Sequence, residues 1–98
     1  MARYLVLWEV DLTKVPLDRK ERAAGWAALM NMVRQDREKG LIKDWGEFLG
    51  GNKGYAIDEG SELDVMKAIQ QYVPFVKFEV HQVASESQVN EMIKAISG

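Results

Sequence analysis

The only histidine of this 98-residue chain lies in a segment that alternates between apolar and polar side chains. His81 follows Glu79 at a spacing of two, which places both residues on the same face of a β-strand. A carboxylate beside an imidazole favours the charged form of the ring, so the pair suits proton transfer. We therefore predict His81 and Glu79 as catalytic residues, with His81 as a general base or a hydrogen-bond anchor. The alternative is a pair of polar strand residues at a sheet edge or a subunit interface.

Aromatic side chains and one further carboxylate form a second candidate group. Trp8, Trp45 and Tyr55 have large apolar faces, and pockets for small molecules are mostly apolar with a few polar groups. Glu47 is the polar group that we assign to this set, so these four residues are the predicted substrate-binding residues. The alternative for the tryptophans is a place in the hydrophobic core or in a dimer interface, and we favour it for Trp8.

Neither a metal site nor a cofactor is predicted from the sequence. The chain has no cysteine, and its single histidine has no partner at the spacing of an H-E-x-x-H or EF-hand motif. Haem ligation by His81 has no second residue to support it. Ser61, Ser85 and Ser87 each fit a helix cap better than a nucleophile.

The composition is that of one globular domain spanning residues 1–98. Hydrophobic residues make up 47% and charged residues 29%, and disordered chains contain fewer apolar residues than this. The net charge of −2 gives no bulk attraction to a nucleic-acid backbone. The apolar run at the N-terminus is too short to cross a membrane, and no small-residue cleavage site follows it. We therefore expect a cytoplasmic protein.

Three helices are predicted from capping residues and from apolar residues at helical spacing. The first begins near Pro16 and ends at Gly40, and the second runs from the cap Ser61 to Pro74. The third is short, amphipathic and capped by Ser85. The inner side of the second helix is predicted as Leu63, Met66, Ile69, Gln70 and Val73. The apolar stripe of the third helix is Val89, Met92, Ile93 and Ile96.

Four strands complete the predicted architecture. They are expected at residues 3–11, 41–49, 55–58 and 75–84, with a glycine-rich hairpin turn at residues 50–54. The order β-α-β-β-α-β is that of a ferredoxin-like α+β domain with an antiparallel four-stranded sheet. Right-handed crossovers place the first and third strands in the centre and both long helices on one face. The other face of the sheet is left open.

The open face is predicted to have an apolar middle. The first strand is apolar on both sides, since Leu5 and Leu7 alternate with residues such as Val6 and Trp8. Which of these two sides meets the helices is left undecided. The fourth strand directs Val76, Phe78 and Val80 to the helices and Lys77, Glu79 and His81 to the open face. Because water alone does not favour such a surface, we predict a homodimer whose sheets face each other.

The element order, the length, the two-sided first strand and the ending of strand plus helix resemble the dimeric α/β-barrel superfamily. That superfamily includes muconolactone isomerases, antibiotic-biosynthesis-type monooxygenases and many small uncharacterised domains, and this chain is most similar to the uncharacterised members. The resemblance spans the whole chain. It implies dimerisation through the sheets and a pocket for a small, often aromatic or hydrophobic molecule.

Two of the predicted functions involve a small molecule. The first is binding of a small apolar or aromatic molecule, in a pocket between sheet and helices or between subunits. The second is a cofactor-free isomerase or monooxygenase-like enzyme, in which His81 moves a proton and Glu79 or Glu47 orients the substrate. In that enzyme Trp45 and Tyr55 would hold the substrate.

Macromolecular recognition accounts for two further functions. RNA binding is suggested because residues 53–56 match the start of an RNA-recognition-motif signature and Tyr55 would face the open sheet. The match ends at Ile57, which occupies the place of the second stacking aromatic residue. The other possibility is a purely structural dimeric interaction module, with Trp8 and Trp45 packed in its interface.

Overall fold

The computed structural model describes residues 2–98, and its elements follow the predicted order. They are β1 (Arg3–Val10), α1 (Arg19–Glu38), β2 (Ile42–Glu47), β3 (Lys53–Glu59), α2 (Glu62–Gln70), β4 (Val76–Val83) and α3 (Glu86–Ile96). The strands form one antiparallel sheet in the order β2-β3-β1-β4, so β1 and β3 are central as predicted. This is a ferredoxin-like α+β fold with an additional C-terminal helix. None of the helices within the described range has the length and apolar character of a membrane span.

The two apolar faces of β1 have different surroundings. Trp8 and its neighbours two residues away are buried under α1 and α2, whereas Leu5 and Leu7 are half-buried on the opposite, open face. The register with β4 places Phe78 opposite Trp8 and His81 opposite Leu5. The predicted facing of the fourth strand is therefore confirmed. The undecided phase of β1 is settled by burial: the tryptophan meets the helices.

Helix α1 begins later than the sequence predicts. Pro16 is expected in the first turn, but the helix starts at Arg19 because the carboxylate of Asp18 accepts a hydrogen bond from the backbone N–H of Glu21 (3.0 Å). This contact satisfies one of the N–H groups that a helix start leaves unpaired. The segment before it contains only a single 3-10 turn, at Leu12–Lys14. The predicted end at Gly40 is confirmed, since this residue has a φ of +85°.

Helix α2 has the predicted cap but a different buried side. Ser61 and Asp64 form a reciprocal capping box, as expected. The residues that it buries are Val65 and Ala68, which are followed by the buried Tyr72 just after the helix. Of the predicted inner row only Ile69 is partly buried, and the other four residues are exposed, namely Leu63, Met66, Gln70 and Val73. The prediction followed the larger apolar side chains, whereas the side with the smaller residues faces the sheet and is buried.

The hairpin between β2 and β3 is closed where the glycine-rich segment predicts it. Gly51 and Asn52 have φ values of +83° and +68°, and the backbone N–H of Phe48 donates to the carbonyl of Lys53 (2.8 Å). Phe48 and Leu49 therefore belong to the turn, and both are exposed. For this reason β2 is shorter than the predicted strand at residues 41–49, and β3 is longer than the predicted 55–58.

Helix α3 has no buried residue. Ser85 and Gln88 form the second predicted capping box, but the apolar stripe of the helix faces solvent. The exposed members are Val89, Met92, Ile93 and Ile96. The whole molecule measures 62 × 26 × 19 Å, an elongated shape for a small domain. The helix thus leaves its amphipathic face uncovered within the protomer.

Gly54 in β3 lies in close contact with a neighbouring strand and with the core. A methyl group at this position would overlap the carbonyl oxygen of Gly46 and the ring of Trp8. We expect Gly54→Ala to lower the free energy of unfolding by roughly 1–3 kcal/mol or more, because neither the backbone oxygen nor the packed indole can move freely. Gly25→Ala in α1 is the control, since its methyl group meets nothing within 4 Å. Because alanine favours the helix, this variant should gain up to about 1 kcal/mol in the free energy of unfolding. Chemical denaturation of both variants measures the difference, and equal stabilities would contradict it.

Candidate functional site

A cavity of about 270 Å³ lies between the helix-covered face of the sheet and α1 and α2. Its walls come from every strand and from both of these helices, so it is a product of the whole fold rather than of one loop. Glu47 and Met30 line it and are exposed, which marks the side on which the cavity opens to solvent. Most of its lining is aromatic or aliphatic. A largely apolar cleft with a few polar groups is the usual form of a small-molecule site.

Stacked tryptophans form one wall of this cavity. The rings of Trp8 and Trp45 are 5.4 Å apart between centroids and 8° from parallel. The indole N–H of Trp8 donates to the carbonyl oxygen of Tyr55 (3.3 Å), and its ring lies over Gly54. The indole ring of Trp8 is therefore held by a hydrogen bond, by stacking on Trp45 and by close packing against Gly54. Trp26 of α1 adds a third indole, partly buried against the same cluster.

The floor of the cavity contains two buried aspartates. Asp36 of α1 has only 2% of its surface exposed, and Asp58 of β3 has 6%. Asp36 accepts hydrogen bonds from the Tyr72 hydroxyl (3.0 Å) and from the Gln71 side-chain amide (3.4 Å). By contrast, Oδ1 of Asp58 is buried and has no hydrogen-bond partner within residues 2–98. The hydroxyl of Tyr4, opposite Asp58 in the strand register, is also buried and unpartnered within that range.

Burial makes Asp58 the most perturbed carboxyl of the cavity. Loss of solvent, and then the negative charge of Asp36, raise the pKa of Asp58 to about 6. Burial, followed by the charge of Asp36, also raises the pKa of the Tyr72 hydroxyl above its usual range, so this group stays a hydrogen-bond donor. An acid that titrates near neutrality inside an apolar pocket can accept a proton or bind a positive charge.

The charged groups of the cavity have one sign. Asp36, Asp58 and Glu47 line it, and no lysine, arginine or histidine among the residues of the described chain does. Glu47 was predicted for a pocket with Trp8 and Trp45, and the structure brings these three residues together. Asp36 and Asp58 were not predicted. Their signal in the sequence is a carboxylate on a face that is otherwise apolar, namely three residues after Val33 in α1 and two after Ala56 in β3.

The predicted catalytic pair lies on the other face of the sheet. Nε2 of His81 is 2.8 Å from Oε2 of Glu79, so the two side chains meet as the strand spacing predicts. Both are more than half exposed, with 56% and 67% of the side-chain surface accessible. The sheet separates them from a molecule held in the cavity. Their catalytic role stays a prediction, and it would need a substrate bound on the open face.

Tyr55 is also on the open face, and it does not line the cavity. Its hydroxyl donates to Oδ2 of Asp44 (2.8 Å), and this hydrogen bond is the main cause of the raised pKa of Tyr55. Gly46 leaves room for the ring, which also lies 6.4 Å from the ring of Phe48. Tyr55 therefore contributes to the cavity only through its backbone oxygen, which holds Trp8.

A group of three or more side chains arranged to hold a metal ion does not occur within residues 2–98.

The pKa of Asp58 predicts how stability varies with pH. Its folded-state pKa of about 6 lies above the unfolded value near 3.8, so between these values the folded protein binds a proton that the unfolded chain releases. Stability should therefore fall by about 3 kcal/mol as the pH rises from below 4 to above 6. Asp58→Asn, whose amide is neutral throughout, should lack this fall and be more stable than the parent at pH 7.5.

Urea denaturation at a series of pH values between 4 and 7.5 measures this effect. Glu62→Gln removes an exposed carboxylate at the start of α2 and is the matched control, for which we expect the pH profile of the parent. Parallel profiles for the parent and for Asp58→Asn would contradict the prediction.

Comparison with known proteins identifies no family for this chain. Neither the family models nor the curated proteins contain a match to this chain. The ferredoxin-like fold rests on the observed topology. The resemblance to dimeric α/β-barrel proteins stays a prediction.

Proposed function

We propose that this protein binds a small aromatic molecule in the cavity between its sheet and its first two helices, and that it does so as a homodimer. The observation that carries the proposal is the tryptophan-walled cavity of about 270 Å³ with acidic groups at its floor. Pockets for small molecules typically measure roughly 300–1,000 Å³, so this volume suits a ligand at the small end of that range. That is the size of one aromatic ring with a short substituent.

The wall residues support an aromatic ligand in particular. Trp8, Trp26 and Trp45 all line the cavity and give it aromatic walls against which another ring can pack. The rings are held before any ligand arrives, because Trp8 is hydrogen-bonded and seated on Gly54. Preorganisation of this kind lowers the entropic cost of binding. A binding or sensing role is favoured over turnover, since the pair His81 and Glu79 lies outside the cavity.

The open face of the sheet supports the homodimer. Its middle contains the half-buried Leu5, Leu7 and Ile57. Ion pairs surround this patch, among them Arg3 with Glu59 (3.4 Å) and Lys53 with Glu9 (3.6 Å). An apolar centre with a charged rim is the usual composition of a protein interface.

Helix α3 gives a second reason to expect a partner. Its stripe of four apolar residues is uncovered in the protomer. The helix follows β4, one edge of the sheet, so in a face-to-face dimer it is placed to reach the other subunit. A second copy of the chain could cover both the open face of the sheet and the stripe of α3, and two-fold homodimers are the commonest oligomers.

A neutral aromatic probe tests the proposed cavity. We expect indole, which has the size of the cavity, to bind with a dissociation constant in the micromolar to millimolar range. Leu29 lines the cavity, so Leu29→Trp should fill part of it and weaken indole binding at least tenfold. Isothermal titration calorimetry measures the binding.

The matched control introduces the same side chain outside the cavity. Leu63 is 62% exposed on α2, and Leu63→Trp should leave indole binding unchanged. The proposal fails if indole does not bind the parent protein, or if the two variants reduce its binding equally.

Native mass spectrometry tests the homodimer. We expect a species of twice the chain mass for the parent, and Leu7→Lys should shift it to monomer by placing a charge in the centre of the apolar patch. Leu63→Lys on the helix side is the control and should remain dimeric. A monomeric parent protein at tens of micromolar would overturn this part of the proposal.

A further inference from the structure

We infer that the ligand of the cavity is an arylalkylamine, a small aromatic ring that carries a protonated amine, with the amine bound by Asp58. The inference rests on the proposed binding of a small aromatic molecule. It adds the charge of that molecule and the residue that recognises it.

Asp58 has a buried carboxylate oxygen that the described part of the chain leaves unsatisfied. Asp58 is 94% buried, lines the cavity, and has an Oδ1 atom without a hydrogen-bond partner in residues 2–98. Buried acceptors are nearly always paired, and a buried charge without a partner is more costly still. A ligand N–H group that carries a positive charge supplies both the missing donor and the missing countercharge.

The two buried aspartates differ in their hydrogen bonds. Asp36 already accepts hydrogen bonds from Tyr72 and Gln71, so its oxygens are engaged by the protein. Asp58 is the carboxylate left for a ligand. The negative charge of Asp36 nearby then strengthens the attraction of the floor for a cation.

The charged side chains that line the cavity are all acidic. The cavity contains the carboxylates of Asp36, Asp58 and Glu47, and no basic side chain of the described residues offsets them. An anionic ligand would meet like charges in a region of low dielectric constant. A neutral ligand would complete the hydrogen bond of Asp58 but leave the charge uncompensated.

The aromatic wall of the cavity also favours a cation. Faces of tryptophan attract ammonium groups, and the attraction is strongest where water is excluded. Trp8, Trp26 and Trp45 all line the cavity. The same rings that pack against an aromatic group therefore also favour a cation beside it.

The test compares three probes of similar size that differ in their terminal group: 2-phenylethylamine, 2-phenylethanol and phenylacetate. Calorimetric titrations at pH 7.5 should show the amine binding at least tenfold more tightly than the alcohol, and the acid more weakly than both. Asp58→Asn should reduce the affinity for the amine at least tenfold and change that for the alcohol less than threefold. Glu62→Gln on the surface of α2 should change neither affinity.

A pH titration gives a readout that a merely structural role of Asp58 would not move. Because the pKa of Asp58 is about 6, amine binding to the parent should weaken severalfold between pH 7.5 and pH 5. In Asp58→Asn it should not depend on pH over that range. The alcohol should show no such dependence in either protein.

The outcomes separate this inference from the proposed function. Binding of the alcohol or the acid as tightly as the amine overturns the inference and leaves the aromatic cavity in place. Failure of all three probes also overturns the inference, and the indole titration then decides independently whether the cavity binds aromatic molecules at all.

Discussion

The packing of the Trp8 ring against Gly54 positions one wall of the cavity. At this point a methyl group on Gly54 of β3 would have no space between the indole ring of Trp8 in β1 and the carbonyl oxygen of Gly46 in β2. The ring lies against Gly54 and stacks on Trp45. A ring that stood away from the sheet would occupy the space between sheet and helices. Glycine at position 54 therefore leaves space for the indole ring that forms part of the cavity wall.

One sheet supports two different surfaces, and β1 and β3 belong to both. Trp8 faces the cavity, and the adjacent Leu7 faces the open side. Tyr55 connects the two faces directly, since its backbone oxygen holds the indole of Trp8 while its ring lies on the open face against Asp44. A partner that covers the open face would restrict the strands that hold the cavity wall. Binding in the cavity and association through the sheet are therefore expected to influence each other through these shared strands.

The sequence predicts the fold well because its caps and turns act locally. Ser61 and Ser85 each form their capping box within three residues, and the positive φ values of the hairpin need only the glycines and the asparagine beside them. The buried side of α2 was missed because it depends on packing against other elements. Val65 packs against Tyr4 and Val6 of β1, and no local pattern reveals that these smaller residues are preferred to the exposed Leu63.

The candidate site shows the same limit more sharply. Trp8, Trp45 and Glu47 could be grouped by residue type, but Tyr55 alternates to the other face, and only the register of the strands decides this. Asp36 and Asp58 are 22 residues apart in the chain, and each alone resembles a surface carboxylate. They line one cavity because the fold brings α1 and β3 to its walls. Tertiary contacts of this kind lie outside what composition and spacing can predict.

The buried aspartate is difficult to explain by folding alone. Domains of this size are stable by about 5–15 kcal/mol, and an ionised Asp58 costs about 3 kcal/mol at neutral pH. Asparagine or a small apolar residue would fit the same position in β3 without that cost. Asp36, which is paired with Tyr72 and Gln71, does not share this difficulty. The proposed amine ligand would account for a carboxylate that weakens the fold and lies at the floor of an aromatic cavity, because a bound cation would offset the charge that the fold leaves unpaired.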